Sequence, residues 1–174
     1  MLTLPDYLED GLDLVFVGIN PGKTSAEAGH YFANKRNRFW PAFNAAGMTP
    51  VPLGPETDAE VLAHGIGFTD VVKRATRQMS ELKTADFRDG VALLNEKLLR
   101  FQPGMVCFNG LSGYKQFVRF TEPGTRPPKI GLQPRTVGAS RIYVLPSTSP
   151  ANAAVSLERI VDGLRELKVL LGRG

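Results

Sequence analysis

The sequence predicts an α/β protein, a three-layer α/β/α sandwich around a central, mostly parallel sheet of four to five strands. Short and continuously apolar segments at 13–18, 104–109 and 141–146 have the composition of buried parallel strands. Segments with apolar residues at helical spacing separate and follow them. Strands that alternate with helices are typical of a parallel sheet covered by helices on both faces.

The first half of the chain contains the shorter predicted elements. The strand 13–18 leads into a glycine-containing loop, and short helices are predicted at 37–46 and 57–64. Residues 65–72, GIGFTDVV, supply either a fourth strand or an extended loop.

The second half contains two longer predicted helices, at 86–101 and 157–171, each with its apolar residues on one face. Ser156 is the predicted N-cap of the second one. The segment 121–138 is rich in proline, glycine and arginine and is predicted to be a long surface excursion. The 174 residues are expected to fold as a single domain, 1–174.

The composition excludes several functional classes. No run of about 18 apolar residues is present, and acidic residues stand where a secretory signal is basic. We therefore expect a cytoplasmic, monomeric protein, associated with the nucleoid if bacterial, that does not bind membranes. Cys107 is the single cysteine and the two histidines lie far apart, so neither a metal nor a cofactor is expected. The net charge of +4 is a modest indication of a polyanionic partner.

The loop after the first strand, GINPGKTSA, looks at first like a phosphate-binding loop. That signature requires four residues between its glycines, whereas Gly18 and Gly22 enclose only Ile19, Asn20 and Pro21. Pro21 also removes a backbone N–H, and the later strand ends supply no aspartate for a metal. Nucleotide hydrolysis is therefore disfavoured. Lys23 is interpreted as a solvated residue or as a contact to a nucleic-acid phosphate.

Asn20 is the alternative centre of this loop. Its side chain can be purely structural, through a hydrogen bond to a nearby backbone group in the turn. The neighbouring sequence favours a further role. GINPG is followed by AGHYFANKRNRFW at 28–40, GFTDVVKRAT at 67–76 and VLPSTSP at 144–150.

In this order and at this spacing, the segments resemble the mismatch-specific uracil/thymine DNA glycosylase family of the uracil-DNA glycosylase superfamily. The resemblance extends over about residues 12–171. It implies a monofunctional enzyme of base excision repair that flips uracil out of DNA and excises it, leaving an abasic site. Mispaired thymine and other damaged pyrimidines are further substrates that it implies. A non-catalytic binder of damaged or abasic DNA on the same fold is the alternative.

The resemblance also assigns roles to residues near the loop. Asn20 cannot act as a general base, because an amide does not titrate near pH 7, but it can hold the attacking water by hydrogen bonding. Backbone N–H groups of the loop around Gly18 and Ile19 can bind the uracil carbonyls. Phe32 matches an aromatic position that stacks on the flipped base, with core packing as the alternative. Ser25 matches a position near the uracil C5 edge, or it caps a turn.

Asp70 departs from the family pattern, which usually has asparagine or lysine at this position. A carboxylate there can polarise the attacking water or stabilise the cationic sugar. It can equally end a strand and bind backbone N–H groups. The residue types alone leave both roles open.

The loop after the third apolar segment is expected to enter the minor groove and replace the extruded base. Relatives have leucine or arginine at its tip, whereas this tip is small, which leaves duplex penetration and recognition of an opposite guanine open. The loop consists of Ser147, Thr148, Ser149, Pro150, Ala151 and Asn152. The candidates for DNA-phosphate contacts are Lys23, Lys73 and Arg74, with Arg77, Arg126, Lys129 and Arg135 as further basic residues.

Overall fold

The computed structural model describes residues 1–124 and 126–173. Five strands form one sheet: β1 (Leu14–Gly18), β2 (Ile66–Asp70), β3 (Met105–Asn109), β4 (Gly131–Val137) and β5 (Ser140–Leu145). Their order is β2-β1-β3-β5-β4, in which β4 pairs antiparallel with β5 and the other neighbours are parallel. The predicted α/β/α class with a mostly parallel sheet is confirmed.

Helices connect the strands and cover both faces of the sheet. They are α1 (Lys23–Ala28), α2 (Phe39–Ala45), α3 (Thr84–Phe101), α4 (Leu111–Thr121) and α5 (Leu157–Leu170), with 3₁₀ segments at Pro55–His64 and Met79–Glu81. The helices predicted at 37–46, 86–101 and 157–171 correspond to α2, α3 and α5. The one predicted at 57–64 is a 3₁₀ helix. Ser156 caps α5 as predicted, because its hydroxyl accepts a hydrogen bond from the Arg159 N–H. No helix of the described residues has the length and apolarity needed to cross a membrane.

Three elements differ from the sequence prediction. The helix α1 has only six residues, too few to display a repeating apolar face, and it was not predicted. The helix α4 was also not predicted, although Tyr114, Phe117 and Val118 form an apolar face at helical spacing. The segment predicted as a surface excursion contains β4, in which exposed and half-buried residues alternate and only Val137 is buried. Pro134 is tolerated within β4 because this strand lies at the edge of the sheet.

Each face of the sheet has its own apolar core, because successive side chains of a strand point to opposite faces. On one face Phe16 and Phe68 pack with the aromatic residues of α2 and the apolar side of α5. On the other face Val17 and Phe108 pack with α3 and α4. The two cores leave the carboxyl ends of the strands uncovered by helices.

Four strands end at the same edge of the sheet. The parallel register aligns Gly18 with Asp70, and Asn109 with Leu145. Ligands of open α/β sheets bind beyond the carboxyl ends of the strands. A ligand site is therefore expected among the loops that follow β1, β2, β3 and β5.

The N-terminal segment lies along the outer edge of β2. The Tyr7 N–H donates to the Phe68 carbonyl oxygen at 2.8 Å, and the Phe68 N–H donates to the Tyr7 carbonyl oxygen at 3.1 Å. Next to this bridge, the Thr69 hydroxyl donates to the Asp6 carboxylate at 2.7 Å. These bonds bring Asp6 close to the end of β2.

Gly90 of α3 packs against the main chain that follows β2, and a Cβ atom there would overlap the Val71 carbonyl oxygen. In a helix, alanine normally stabilises relative to glycine by about 0.5–1 kcal/mol. Since the helix and Val71 would have to separate, we expect Gly90→Ala to lower the free energy of unfolding by about 1–3 kcal/mol instead. Urea denaturation measures the change. The exposed neighbour Asp89→Ala is the control, with an expected change within about 0.5 kcal/mol. A more stable Gly90→Ala protein would contradict this packing.

Candidate active site

A cleft of about 250 Å³ opens at the carboxyl edge of the sheet. The loops after β1, β2, β3 and β5 line it, together with the turn between α1 and α2. It contains every residue predicted for catalysis or for the base pocket: Gly18, Ile19, Asn20, Ser25, Phe32 and Asp70. Four residues of the predicted DNA-binding loop line it as well: Ser147, Thr148, Ser149 and Pro150.

A second cleft, of about 410 Å³, lies between α4 and the edge strand β4. Its lining is rich in proline, and it includes Arg126, Lys129 and Arg135. The Arg135 guanidinium lies 2.9 Å from the Glu122 carboxylate. These three basic residues therefore belong to another part of the surface than the candidate site.

The side chain of Asn20 is fixed by the loop that follows β2. Its amide nitrogen donates to the Arg74 carbonyl oxygen and to the Thr76 hydroxyl, both at 2.9 Å. The Lys23 N–H also donates to the Thr76 carbonyl oxygen at 3.0 Å. A main-chain hydrogen bond and the side chain of Asn20 therefore both join the loop after β1 to the loop after β2. Among the described residues, none donates a hydrogen bond to Oδ1 of Asn20. The amide nitrogen thus forms structural hydrogen bonds, whereas the amide oxygen Oδ1 is left as an acceptor for a ligand in the cleft.

The carboxyl group of Asp70 is buried at the end of β2, with 5% of the residue exposed. Burial raises its pKa to about 6, and the Lys73 ammonium acts in the opposite direction. Lys73 Nζ lies 3.2 Å from Oδ2. Among the described residues, no backbone N–H donates to this carboxylate, so the expected alternative of a strand end bound to backbone amides does not describe it. A group with such a pKa near neutrality is suited to proton transfer.

Gly18 gives the Asp70 carboxyl group its space. A Cβ atom at Gly18 would lie 2.7 Å from Asp70 Oδ1. The carboxylate consequently lies against the main chain at the start of the Asn20 loop. The catalytic candidates Asn20 and Asp70 line one cleft from two neighbouring strand ends.

The predicted phosphate contacts have different surroundings. The Lys73 ammonium is enclosed by carboxylates, 2.8 Å from Asp6 and 3.2 Å from Asp70, and this geometry does not fit a phosphate contact. Arg74 pairs with Asp86 at 2.9 Å and keeps 42% of its side chain exposed. The Lys23 side chain is 44% exposed, with Glu27 at 3.6 Å. Lys23 and Arg74 remain accessible to a polyanion.

Phe32 packs against the core, as its alternative role predicts, and it also lines the cleft. Its ring stacks on Phe39, with ring centroids 4.0 Å apart, yet the residue is half-buried and lines the cleft. Its backbone has a φ of 54°, which is unusual for a bulky residue. The neighbouring residue holds the turn, because the Tyr31 N–H donates to Asp58 at 2.7 Å and the Tyr31 carbonyl accepts from the Trp40 indole at 3.0 Å.

Ser25 is almost fully buried beneath the same turn. Its hydroxyl accepts a hydrogen bond from the Ala33 N–H at 3.0 Å. The side chain therefore anchors the turn that carries Phe32, as its turn-capping alternative predicts, and it also lines the cleft.

Two residues that were not among the predicted site residues fix the loop after β5. Asn109 exchanges two hydrogen bonds with Thr148, which is fully buried. The Arg38 guanidinium donates to the carbonyl oxygens of Ser149, Asn152 and Val155. Thr148 is hence an anchor and not an exposed DNA contact, whereas Ala151 is exposed at the tip.

Asn109 could have been found from the sequence, as a polar residue at the end of an apolar strand. Arg38 gives no such signal, because its partners are main-chain carbonyls more than a hundred positions later in the chain.

Residues that could hold a metal are not clustered at this site. In the part of the chain that the structure describes, no three or more His, Cys, Asp or Glu residues are grouped to bind an ion. His30 lies 3.1 Å from the buried Asp58, behind the turn that carries Phe32. Cys107 is buried within β3, and burial raises the pKa of its thiol.

Comparison with known proteins identifies the fold and the family. A solved structure with a similar fold is the solution NMR structure of a "putative Uracil DNA glycosylase" from Methanosarcina acetivorans. It shares 24% sequence identity with a TM-score of 0.61, over 95% of this chain and 97% of that one. The family model described as "Uracil DNA glycosylase superfamily" matches residues 5–168, which include all four loops of the cleft. The chain belongs to the uracil DNA glycosylase superfamily.

Proposed function

We propose that this protein is a monofunctional DNA glycosylase that excises uracil from DNA and leaves an abasic site. The observation that carries the proposal is the convergence of Asn20, the buried Asp70 and the ring of Phe32 on one cleft. At about 250 Å³ the cleft is smaller than the pockets that bind drug-sized ligands, which suits a single flipped base. Membership of the superfamily supports the same substrate class. Mispaired thymine and other damaged pyrimidines belong to the proposed range.

The reaction breaks the bond between C1′ of deoxyribose and N1 of the base. The base leaves with the bonding electron pair and takes up a proton, while water adds to C1′ and gives up a proton. Asn20 holds this water through Oδ1, since its amide nitrogen is already bound to the neighbouring loop. Asp70 accepts the proton of the water or faces the positive charge that develops on the sugar. The backbone N–H groups of the 18–22 loop are donors for the departing base.

DNA reaches this cleft with the target nucleotide turned out of the stack. Unstacking is least costly for a base that is mismatched or single-stranded. The exposed part of the Phe32 ring stacks on the base. Lys23, Arg74 and Arg77 contact backbone phosphates, since all three are accessible and Arg77 lines the cleft itself. We further propose that the protein acts as a monomer on genomic DNA in the cytoplasm.

The direct test is incubation with a uracil-containing oligonucleotide in EDTA, followed by alkali, which breaks the strand at an abasic site. We expect cleavage at the uracil position and none in a matched thymine oligonucleotide paired with adenine. Activity that chelation removes and a divalent ion restores would contradict the water-positioning mechanism. A non-catalytic binder of damaged DNA would retain the oligonucleotide in a binding assay and leave it intact after alkali.

Asn20→Ala removes the proposed water contact. We expect a loss of at least about 2–3 kcal/mol of transition-state stabilisation, measured as the single-turnover excision rate, with DNA binding retained. Thr76→Val is the matched control, because it removes one anchor of the Asn20 side chain and keeps Oδ1. Its rate should fall less than that of Asn20→Ala. A rate for Asn20→Ala close to that of the wild type would exclude Asn20 from the mechanism.

Asp70→Asn keeps the shape of the side chain and removes its charge. If the carboxylate acts in catalysis, the excision rate at pH 7.5 falls and the acid limb near pH 6 disappears from the pH profile. Thermal melts across pH separate this effect from misfolding. The folded-state pKa lies above the ordinary value of an aspartate, so the stabilising contribution of the carboxyl is lost as pH rises through about 6. Relative to the wild type, the variant should therefore gain stability between about pH 4 and pH 7. An unchanged rate and pH profile would remove Asp70 from catalysis.

Ala151 is too small to fill the space that an extruded base leaves. Activity should therefore favour uracil in single strands or mismatches over uracil paired with adenine. We expect Ala151→Leu to raise the duplex rate more than the single-strand rate. Ala154→Leu is the control, because this alanine is also exposed in the segment between β5 and α5 but, unlike Ala151, does not line the groove beside Ser147 and Ser149. Equal wild-type rates on both substrates would mean that another residue supplies the wedge.

A further inference from the structure

We propose that Lys73 is a positioning residue, whose ammonium is held by Asp6 and keeps the Asp70 carboxyl group in its ionised form. The inference rests on the proposed function of the cleft and deepens it. It replaces the phosphate contact that the sequence indicated for Lys73 with a role inside the protein.

The Lys73 ammonium is held from several directions. It lies 2.8 Å from Asp6 Oδ1, 3.2 Å from Asp70 Oδ2 and 3.4 Å from the Tyr31 hydroxyl. Only 20% of the Lys73 side chain is exposed. A lysine that bound a phosphate of DNA from this position would have to leave the buried Asp70 carboxylate without the cation in contact with it.

Asp6 is fixed in turn by groups outside the cleft. The Thr69 hydroxyl donates to Oδ1 at 2.7 Å, and Lys97 of α3 donates to Oδ2 at 2.6 Å. The order along this chain of contacts is Lys97, Asp6, Lys73 and Asp70, so positive and negative groups alternate. Three separate parts of the fold therefore determine where the Lys73 ammonium lies: the N-terminal segment, β2 and α3.

The charged groups around Asp70 act in opposite directions. Lys73 and Lys97 favour the ionised carboxyl, whereas burial and the Asp6 carboxylate oppose it. The Tyr31 hydroxyl is neutral, since burial and the surrounding carboxylates raise its pKa, and it donates to the Pro5 carbonyl oxygen. Lys73 is the cation in direct contact with the Asp70 carboxylate. Without it, burial would dominate and Asp70 would take up a proton at a higher pH.

The test is the pH profile of single-turnover uracil excision with enzyme in excess, for the wild type, Lys73→Met and Lys73→Arg. For Lys73→Met we expect the acid limb to move up by about one to three pH units, so that activity is lost near neutrality and recovered at higher pH. Lys73→Arg restores the cation and should return the limb towards its wild-type position. Arg100→Gln removes one exposed positive charge, paired only with the exposed Asp10, and should leave the profile unchanged.

A phosphate role for Lys73 predicts a different result. Lys73→Met would then bind DNA more weakly, with a shallower dependence of affinity on salt by about one phosphate contact and an unmoved pH profile. That result would overturn the inference and leave the proposed function intact. A wild-type protein that excises no uracil in any context would overturn both.

A second variant covers the case in which Lys73→Met does not fold, because loss of one partner leaves buried charge unpaired. The double variant Asp6→Asn/Lys73→Met removes the pair together. The acid limb should still move to higher pH, since the effect of Lys73 on Asp70 exceeds that of Asp6. A folded double variant with the wild-type profile would overturn the inference.

Discussion

The parallel pairing of β1 with β2, which places Gly18 beside Asp70, is the contact on which the rest of the site depends. Because glycine has no side chain, the carboxyl group lies directly against the main chain that begins the Asn20 loop. That position buries the carboxylate and raises its pKa, and it puts an amide and a carboxylate from two strands into one cleft. The sheet thus fixes the relative position of the two polar groups before any loop is considered.

Hydrogen bonds between side chains and main chain hold the loops around this pair. Asn20 binds the carbonyl of Arg74, Arg38 binds carbonyls of the loop after β5, and Ser25 binds the N–H of Ala33. Each bond joins a cleft loop to a different element, so the cleft walls are connected to one another as well as to the sheet. Groups fixed in this way lose little further freedom when a ligand binds, which is what an electrostatically preorganised site requires.

Local patterns were sufficient to predict the layer architecture and, together with the family resemblance, part of the cleft lining, including Asn20, Phe32 and Asp70. Apolar strands, helical spacing and the GINPG loop are all properties of short segments, and Asn20 and Asp70 stand at the ends of such strands. The surroundings of Lys73 could not be predicted in this way, because its partner Asp6 lies 67 positions away in sequence and is brought near by the bridge between Tyr7 and Phe68. The edge strand β4 escaped prediction because it contains Pro134 and buries only Val137. The helix α4 was missed although Leu111, Tyr114, Phe117 and Val118 recur at helical spacing.

The left-handed backbone of Phe32 limits which residues can replace it at the surface of the cleft. Phenylalanine loses free energy at a φ of 54°, whereas glycine or asparagine would adopt this conformation more readily. The stacking of the ring on Phe39 offsets that cost in the folded protein. Glycine would relieve the backbone but give up both this core contact and the aromatic surface of the cleft, so the strain and the ring are kept or lost together.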